Sequence, residues 1–525
     1  MPEVSESQQP AMWAEAELAR SEPVTAPVTV ETEREARLKP VNRNQLLLRT
    51  VDVDSLVQRD HLVRALWELT ERLDLRGFTA DVGSVEGAAG RPAFDPRLLI
   101  SLWVYAYSEG VSSAREVERR CAYHPAYQWL TGCEVINHHT LSDFRIQHQL
   151  SLDALFAQLL GVLSSEGLIS LQRVMHDGTK IKASASDNSF RREKTLRAHL
   201  EAAQERVCEM GDPRQEEPGR RAVRARERAV REKVERLEHA LGEMAKVQAA
   251  ARPGSKSERR VSETDPEARI MKQSDGGCAP SHNVQISTDA AHGIIVGVGV
   301  TQSPVDWGQL VPALQEIERQ TGRLPEQVVV DGGFTTREAV LATAELGVDL
   351  IGGTIEEGAE AIARRLEQRT MDPAFRSENF RYDAQANTYT CPAGKILRHQ
   401  GARDDRTGIT RHVYRARITD CRGCSFRKQC CLGVSTRTIV RKESVPTIAA
   451  YLAKMQTEAA QEIYRLRGAV AEFPNAWLKT KIGLRQFCLR GLKKVRCEVL
   501  WACLTYNIQQ WVRLRWKARL APAEV

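Results

Sequence analysis

The spacing of hydrophobic positions changes several times along the chain, and the first segments have a helical pattern. Apolar residues recur at helical spacing over residues 56–73, and residues 98–107 are mostly apolar behind a proline at position 96, which suits the first turn of a helix. Residues 1–40 are instead rich in Glu, Ala, Pro, Ser and Thr. We therefore expect a disordered leader over residues 1–40 and a helical domain over residues 41–169.

Short helices with capping residues follow one another within the helical domain. Ser112 or Ser113 can cap a helix that ends before Pro125, and residues 140–144 begin another. Such an arrangement suits a helix-turn-helix-like unit that binds DNA, and a plain helical bundle is the alternative. The arginines expected on the outside of these helices are Arg115, Arg119, Arg120 and Arg145.

After residue 170 the pattern is that of strands separated by helices. Residues 173–184 alternate with period two, and residues 327–330 (QVVV) have the unbroken apolar character of a strand that is covered on both faces. Residues 253–281 are predicted to be a loop. Further strands are expected at 283–289, 294–301 and 349–354, with helices at 310–321 and after Thr335 or Thr336. This order predicts a mixed α/β sheet.

A polar insertion over residues 191–250 interrupts the sheet. Two apolar stripes at helical spacing flank a Pro- and Gly-containing break at residues 212–219, which predicts a helical hairpin packed on itself. An arginine-rich flank at residues 220–231 suits either DNA contact or solubility, and the sequence leaves both open. The stripes consist of Leu196, Leu200, Val207 and Met210, and of Val223, Val230, Val234, Leu237, Leu241 and Met244.

The excess of basic over acidic residues is concentrated in the C-terminal part of the chain. The net charge is only +7, yet residues 464–519 contain thirteen Lys and Arg against two acids, which favours an acidic polymer such as nucleic acid. Apolar runs are too short to span a bilayer, so we expect no membrane association. No signal-peptide pattern opens the chain, and we expect a cytoplasmic protein whose twelve cysteines are thiols or metal ligands.

Two aspartates lie where a sheet would present carboxylates to a ligand. Asp177 shares a strand face with apolar residues, where an ionised carboxylate is costly unless it is paired or holds a cation. Asp331 follows the buried strand at residues 327–330, at the carboxyl end where ligands of α/β sheets bind. Either residue alone also suits an ordinary role, as a strand-end acceptor or a helix cap. Together they could hold a hard cation such as Mg²⁺.

A third acid lies in a basic helix at residues 464–479. At 100° per residue, Tyr464, Arg467, Glu472 and Lys479 fall on one face, which suits a cation on the glutamate and phosphate oxygens on the two basic residues. A surface cluster of ion pairs is the alternative. Pro474 should kink the helix after Glu472.

The chain resembles the DDE transposases of bacterial insertion sequences, in the branch with a Tyr, Arg, Glu, Lys signature around the last acid. The resemblance implies a ribonuclease-H-like core in which Asp177, Asp331 and Glu472 bind two Mg²⁺ or Mn²⁺ ions. One departure is that four residues separate Arg467 from Glu472, where three are usual. The motifs that carry the resemblance are FDPRLLISLWVYAYSEGVSS, HHTLSDFR, HDGTKIKASAS, TDPEARIMK, HNVQIS, VVVDGGFTT, YRLRGAVAEFPNAWLK and LKKVRCEVLWACLTYNI.

The same resemblance implies the roles of the basic residues and of the partner. Tyr464, Arg467 and Lys479 are expected to bind the end of the element, and Lys493 and Lys494 are further candidates for DNA binding. The expected partner is double-stranded DNA, bound by a homo-oligomer that holds paired ends in the bacterial nucleoid.

A cysteine-rich segment separates the second acid from the third. Cys391 begins a CPAGK turn, and CRGCSFRKQCC supplies Cys421, Cys424 and Cys430 at spacings typical of a structural zinc ribbon with four thiolates. Reduced thiols without a metal are the alternative. Cys431, His399 and His412 are other possible ligands.

These predictions combine into one hypothesis. The chain is expected to be a transposase that binds the terminal inverted repeats of its insertion sequence and catalyses metal-dependent cleavage and strand transfer. A nuclease on the same fold and an inactive DNA-binding protein are the alternatives. The expected parts are the leader (1–40), a helical DNA-binding domain (41–169), the first part of the core (170–360) with its insertion (191–250), a zinc-ribbon-like insertion (361–445), and the last part of the core with basic C-terminal helices (446–525).

Overall fold

Six strands form a mixed sheet at the centre of the protein, as seen in a computed structural model. The sheet contains β1 (Arg173–Lys182), β4 (Arg269–Lys272), β5 (Cys278–Asp289), β6 (Ile295–Thr301), β7 (Gln327–Val330) and β8 (Asp349–Ile351), and β2 (Phe190–Arg191) pairs separately with β3 (Val261–Ser262). The structure describes residues 50–80, 82, 92–210, 220–250, 258–353, 371–404, 410–432, 434–443 and 445–520, without the side chains of residues 210, 220–224, 404 and 442. The predicted leader at residues 1–40 lies outside the described residues.

The order of the strands is that expected of a ribonuclease-H-like core. The path runs β4, β5, β1, β7, β8, and β6 pairs with β5. Strand β5 is antiparallel to its neighbours β1, β4 and β6, whereas β1, β7 and β8 run parallel to one another. Val328, Val329 and Val330 are fully buried, as the unbroken apolar run predicted. The mixed α/β prediction is therefore confirmed.

Helices in the N-terminal part share the hydrophobic core of the sheet. The ring of Phe144 lies 6.4 Å from that of Trp501 in the C-terminal helix, and Trp501 Nε1 donates to the carbonyl of Arg145 at 3.2 Å. The helices are α1 (Leu62–Glu71), α2 (Pro96–Ser108), α3 (Ala114–Cys121), α4 (Pro125–Thr131), α5 (His138–Gln147) and α6 (Gln149–Ser165).

One arginine that we expected on the outside of these helices is buried. Arg145 is only 5% exposed, its Nη1 donates to the carbonyl of Ser112 at 2.5 Å, and its guanidinium lies 4.7 Å from the centre of the Trp103 ring. It therefore cannot contact DNA from this position. The prediction was wrong because helical spacing does not show which face of a short helix a later segment covers.

The helical insertion is a hairpin, as predicted. It consists of α7 (Glu193–Met210) and α8 (Arg220–Ala249), which pack together through Leu196, Leu237 and Met244. The predicted loop at residues 253–281 was wrong in part, because it contains β3, β4 and the start of β5. Strand β4 forms at the edge of the sheet, where pairing with β5 overrides a polar sequence.

The cysteine-rich segment forms a second, antiparallel sheet with its own small core. This sheet has five strands, which is larger than the predicted zinc ribbon. It contains β9 (Arg381–Asp383), β10 (Thr388–Thr390), β11 (Ile396–Asp404), β12 (Thr410–Ala416) and β13 (Thr438–Glu443), with the short helices α11 (Ile418–Arg422) and α12 (Arg427–Cys430) between the last two strands.

Helices complete the main core after the second sheet. Within the described residues, no helix has the length and apolar character needed to cross a membrane. The remaining helices are α9 (Leu310–Thr321) and α10 (Arg337–Glu345) between the core strands, then α13 (Pro446–Met455), α14 (Glu458–Arg467), α15 (Phe473–Thr480), α16 (Leu492–Trp511) and α17 (Lys517–Leu520), with π-helical turns at Gly468–Glu472 and Val512–Trp516.

Candidate active site

The first two predicted acids come together at one edge of the main sheet. Strands β1 and β7 are parallel and pair His176 with Val330, so Asp177 on β1 lies next to Asp331, the first residue after β7. The charge of Asp331 also acts on Asp177 and raises its pKa. The sheet therefore presents two carboxylates at the point where the parallel pairing of β1 with β7 ends.

The turn that carries Asp331 is held by close backbone packing. A Cβ atom on Gly353 would lie only 2.6 Å from the Cα atom of Gly332, so the two chain segments can approach this closely only because residue 353 is glycine. The hydroxyl of Thr335 accepts the Gly353 N–H at 3.1 Å, and Tyr451 Oη donates to the Gly353 carbonyl at 2.9 Å.

The third acid lies in a π-helical turn between α14 and α15. The five residues Gly468–Glu472 form this turn. Pro474 lacks an N–H group and cannot donate to the carbonyl four residues before it, which favours a local change in hydrogen bonding here. A π turn also accommodates one extra residue in a helix. It explains how Arg467 and Glu472 stay together although one more residue than usual separates them.

Arg467 lies between the first and the third acid. Its Nη1 is 3.9 Å from Asp177 Oδ1, and its Nη2 is 3.8 Å from Glu472 Oε1. The Asp177 side chain is 19% exposed, whereas that of Glu472 is 66% exposed. Glu472 therefore has room to move toward the aspartates, and the guanidinium balances part of the carboxylate charge.

Burial controls the protonation of Asp177. Desolvation raises its pKa to about 6, against the lowering effects of Arg467 and of a hydrogen bond from Asn475 Nδ2 at 3.0 Å. Asn475 is 7% exposed. Sequence reasoning missed this contact, although Asn475 lies three residues after Glu472, about one helical turn away and in reach of the same site.

The other predicted members of the site face the same edge. Lys479 is half-buried, and burial lowers its pKa while the carboxylate of Asp177 opposes that change. Tyr464 is also partly buried, with its hydroxyl 3.7 Å from the position that a Cβ atom on Gly353 would take. Arg467, Glu472 and Lys479 thus surround Asp177, and Tyr464 lies beside the turn of Asp331.

The three acids are not gathered tightly enough to form a closed metal site in this arrangement. In the described part of the chain, only His239, Glu243 and Glu267 place three ligand atoms within 4.8 Å of one another. That group is a poor candidate, because Glu243 is already bound by Lys246 at 2.7 Å and by Arg269.

Comparisons with known protein families match both ends of the chain. Residues 390–512 match a family described as "Transposase DDE domain", and residues 51–147 match one described as "Transposase domain (DUF772)". Both matches support a DDE transposase of an insertion sequence. The DDE match includes Tyr464, Arg467, Glu472 and Lys479. A search of curated proteins found no match.

The predicted zinc ligands of the transposase lie around one small cavity. Cys391, Cys421, Cys424, Cys430 and Cys431 line a space of about 20 Å³. The backbone N–H of Lys395 donates to Cys391 Sγ at 3.2 Å, a contact that suits a thiolate in a metal-binding turn. Burial and the neighbouring thiols raise the pKa of Cys431 to about 12. The spacing of the cysteines therefore predicted which of them line this cavity, and zinc binding stays a prediction.

Helix α16 carries both exposed and buried charges. Lys493 and Lys494 are exposed in its first turn, where the helix dipole favours negative charge. Glu498 is fully buried and accepts the backbone N–H of Cys488 at 3.1 Å and that of Leu489 at 3.0 Å. Glu498 therefore holds the loop before α16.

Proposed function

We propose that the transposase binds the terminal inverted repeats of its insertion sequence and catalyses metal-dependent DNA cleavage followed by strand transfer. The observation that carries this proposal is the convergence of Asp177 and Asp331 at one sheet edge, with Glu472 linked to Asp177 through Arg467. DNA is the substrate that the transposase families imply.

The residues at this edge fit a hard divalent cation. They offer carboxylate oxygens, which Mg²⁺ and Mn²⁺ prefer. In addition, Oδ1 of Asn475 is buried and lacks a hydrogen-bond partner among the described residues, so it is free to accept from a bound water. When bound, two cations would activate water and stabilise the leaving 3′ oxygen. Asp177, Asp331 and Glu472 are the residues proposed to hold them.

The basic residues are proposed to position the DNA. Arg467 offers a planar pair of donors to a phosphate, and Lys479 offers a point charge beside Asp177. Tyr464 lies close enough to the Asp331 turn to contact the sugar or phosphate at the end of the element. Lys493 and Lys494 would extend the contact along the duplex backbone.

The proposed chemistry consists of two substitutions at phosphorus. In the first, a water oxygen attacks the phosphodiester at the element boundary, and the bond to the 3′ oxygen breaks to free a 3′-OH. In the second, that 3′-OH attacks a target phosphodiester, a new P–O bond forms, and the target 3′ oxygen leaves. The second step conserves the number of phosphodiester bonds and therefore needs no external energy source.

The other parts of the chain are proposed to support DNA binding and assembly. We assign DNA binding to the helical domain at residues 41–169, the split catalytic core to residues 170–360 and 446–525, and a zinc-stabilised fold to residues 361–445. Zinc analysis of the purified protein and of Cys421→Ser tests the last assignment, which fails if neither contains zinc. Paired ends would require a homo-oligomer.

The proposal is tested by cleavage of a labelled duplex that carries the element's own end, with Mg²⁺ or Mn²⁺. The intact chain is compared with Asp177→Ala, Asp331→Ala and Glu472→Ala, and with Glu462→Ala as an exposed control on the same helical segment. We expect metal-dependent nicking at the element boundary, lost by at least about 10³-fold in the three site variants and retained in the control.

Two outcomes would overturn parts of the proposal. Cleavage that persists in Glu472→Ala would exclude this glutamate as the third acid. Nicking without joining to a target duplex would favour a nuclease on the same fold, and binding without any cleavage would favour an inactive DNA-binding protein.

A further inference from the structure

Asn475 is a buried amide that is only partly satisfied by hydrogen bonds. It lies in the first turn of α15, is 7% exposed, and donates from Nδ2 to Asp177 Oδ2 at 3.0 Å. An ionised carboxylate only accepts hydrogen bonds, so the amide nitrogen must face it and Oδ1 must point away. Within the described residues, that buried Oδ1 has no partner.

A structural asparagine in the same core is used differently. Asn507 on α16 accepts the N–H of Ile295 with Oδ1 at 2.9 Å and donates from Nδ2 to the carbonyl of Ile295 at 2.8 Å. Both halves of this amide bind the backbone of one strand. By contrast, Asn475 makes its one contact with the first acid of the site, and leaving a buried carbonyl oxygen unpaired costs about 1–3 kcal/mol.

The contact divides the two oxygens of Asp177 between two neighbours. Oδ2 accepts from Asn475, whereas Oδ1 lies 3.9 Å from Arg467, on the side of Glu472. The amide therefore fixes the rotation of the carboxylate about its last bond. Arg467 restrains the carboxylate less, because 3.9 Å is too long for a hydrogen bond.

We propose that Asn475 is a positioning residue of the catalytic centre, which holds Oδ2 of Asp177 so that Oδ1 is the oxygen presented to divalent cations. This inference rests on the proposed role of Asp177. Residues that hydrogen-bond to a metal ligand orient that ligand. Their loss lowers metal affinity or activity by about 10- to 100-fold.

The test measures binding of Mn²⁺ alone to the full chain by isothermal titration calorimetry. Asn475→Leu removes the amide at similar volume, and Ala476→Leu, at the exposed next position of the same helix, is the matched control. We expect Asn475→Leu to weaken Mn²⁺ binding by about 10- to 100-fold and the control to match the parent. Cleavage should fall at limiting Mn²⁺ and recover toward the parent rate at saturating Mn²⁺.

Circular dichroism and a thermal melt separate this effect from misfolding. If Asn475→Leu does not fold, Asn475→Ala removes the amide without a branched side chain and is measured instead. Unchanged Mn²⁺ affinity in a folded variant would overturn the inference.

Asp177→Asn distinguishes failure of the inference from failure of the proposed function. If Asp177→Asn weakens Mn²⁺ binding but the Asn475 variant does not, only the positioning role is wrong. If neither variant changes Mn²⁺ binding, Asp177 does not hold the metal and the proposed site is wrong as well.

Discussion

Two carboxylates are removed from water in different regions of this transposase, and their surroundings differ in kind. Glu498, at the junction between α16 and the loop before it, accepts two backbone N–H groups and lies near the buried guanidinium of Arg145. Asp177, on the central strand β1 of the main sheet, accepts one side-chain amide, and the nearest basic side chain, Arg467, is 3.9 Å away. Burial raises the pKa of both groups.

The comparison shows that Glu498 is used to hold the fold together, whereas Asp177 can still bind a ligand. Backbone donors around Glu498 are fixed and leave little capacity for another ligand. Around Asp177 the donors are the side chain of Asn475 and the backbone N–H of Gly178, which only partly replace the solvation lost on burial. The nearest positive charge, on Arg467, is 3.9 Å away. An incompletely satisfied carboxylate of this kind favours a cation when one arrives.

Removing Glu498 should have the largest effect on stability. Glu498→Ala leaves Arg145 as an uncompensated buried charge and two backbone N–H groups without their acceptor, so we expect a loss of about 3–5 kcal/mol in the free energy of unfolding. Chemical denaturation measures it, with the exposed Glu462→Ala as the control. A loss below about 1 kcal/mol would mean that the buried carboxylate is not structural.

A change to the turn beside Asp331 should act on catalysis. In Gly353→Ala the new methyl group would meet Gly332 Cα at 2.6 Å, so the turn that carries Asp331 must move. Displacement of about 1 Å at a reacting centre costs about 10²-fold in rate. We expect such a loss in cleavage, whereas Gly161→Ala, with no atom within 4 Å of the added group, should retain the parent rate. Equal rates in both variants would show that this approach does not position Asp331.

Neutralising Asp177 should stabilise the fold while it abolishes cleavage. Its pKa is about 6 in the folded chain and 3.8 ordinarily, so the folded state holds the proton more tightly. The stability that this group contributes is complete below about pH 4 and is lost as the pH rises through 6. In EDTA at pH 8, Asp177→Asn should therefore be more stable than the parent by on the order of 1–3 kcal/mol.

The pH dependence of unfolding checks the sign of this effect. The advantage of Asp177→Asn should shrink as the pH falls and should disappear near pH 4, whereas the exposed Asp143→Asn should change stability little at any pH. A variant less stable than the parent at pH 8 would show that the ionised carboxylate is better satisfied than its contacts indicate.

The exposed lysines of α16 should have the smallest effect, and only on DNA binding. Lys493 and Lys494 share the helix with Glu498 but are exposed. Removing a lysine that binds a phosphate should reduce the slope of log affinity against log salt by about one. Binding of the element end at several salt concentrations measures that slope for Lys493→Ala and Lys494→Ala. An unchanged slope would remove the pair from the DNA surface, and Glu462→Ala serves as the control.

Local patterns in the sequence determined a large part of this protein. The valine run of β7, the period-two strand around Asp177 and the two stripes of the helical hairpin are each fixed by a few adjacent residues. For that reason they were predicted within a few residues of their observed bounds. The order of strands also predicted that Asp177 and Asp331 would be neighbours, because ligands of α/β sheets bind at the carboxyl ends of the strands, and the roles of the acids and basic residues stay predictions.

Only the tertiary structure decided which polar residues are buried and what they contact. Arg145 was expected outside but is buried, and Trp501 of α16, more than 300 residues further along the chain, donates to its carbonyl. Strand β4 forms through pairing with β5, and Asn475 meets Asp177 across 298 residues. The π turn keeps Arg467 beside Glu472 although their spacing differs from the usual one. Apart from the π turn, each of these features depends on a long-range contact whose free energy is not contained in any local pattern, because burial and hydrogen bonding are set by the segments that pack from elsewhere in the chain.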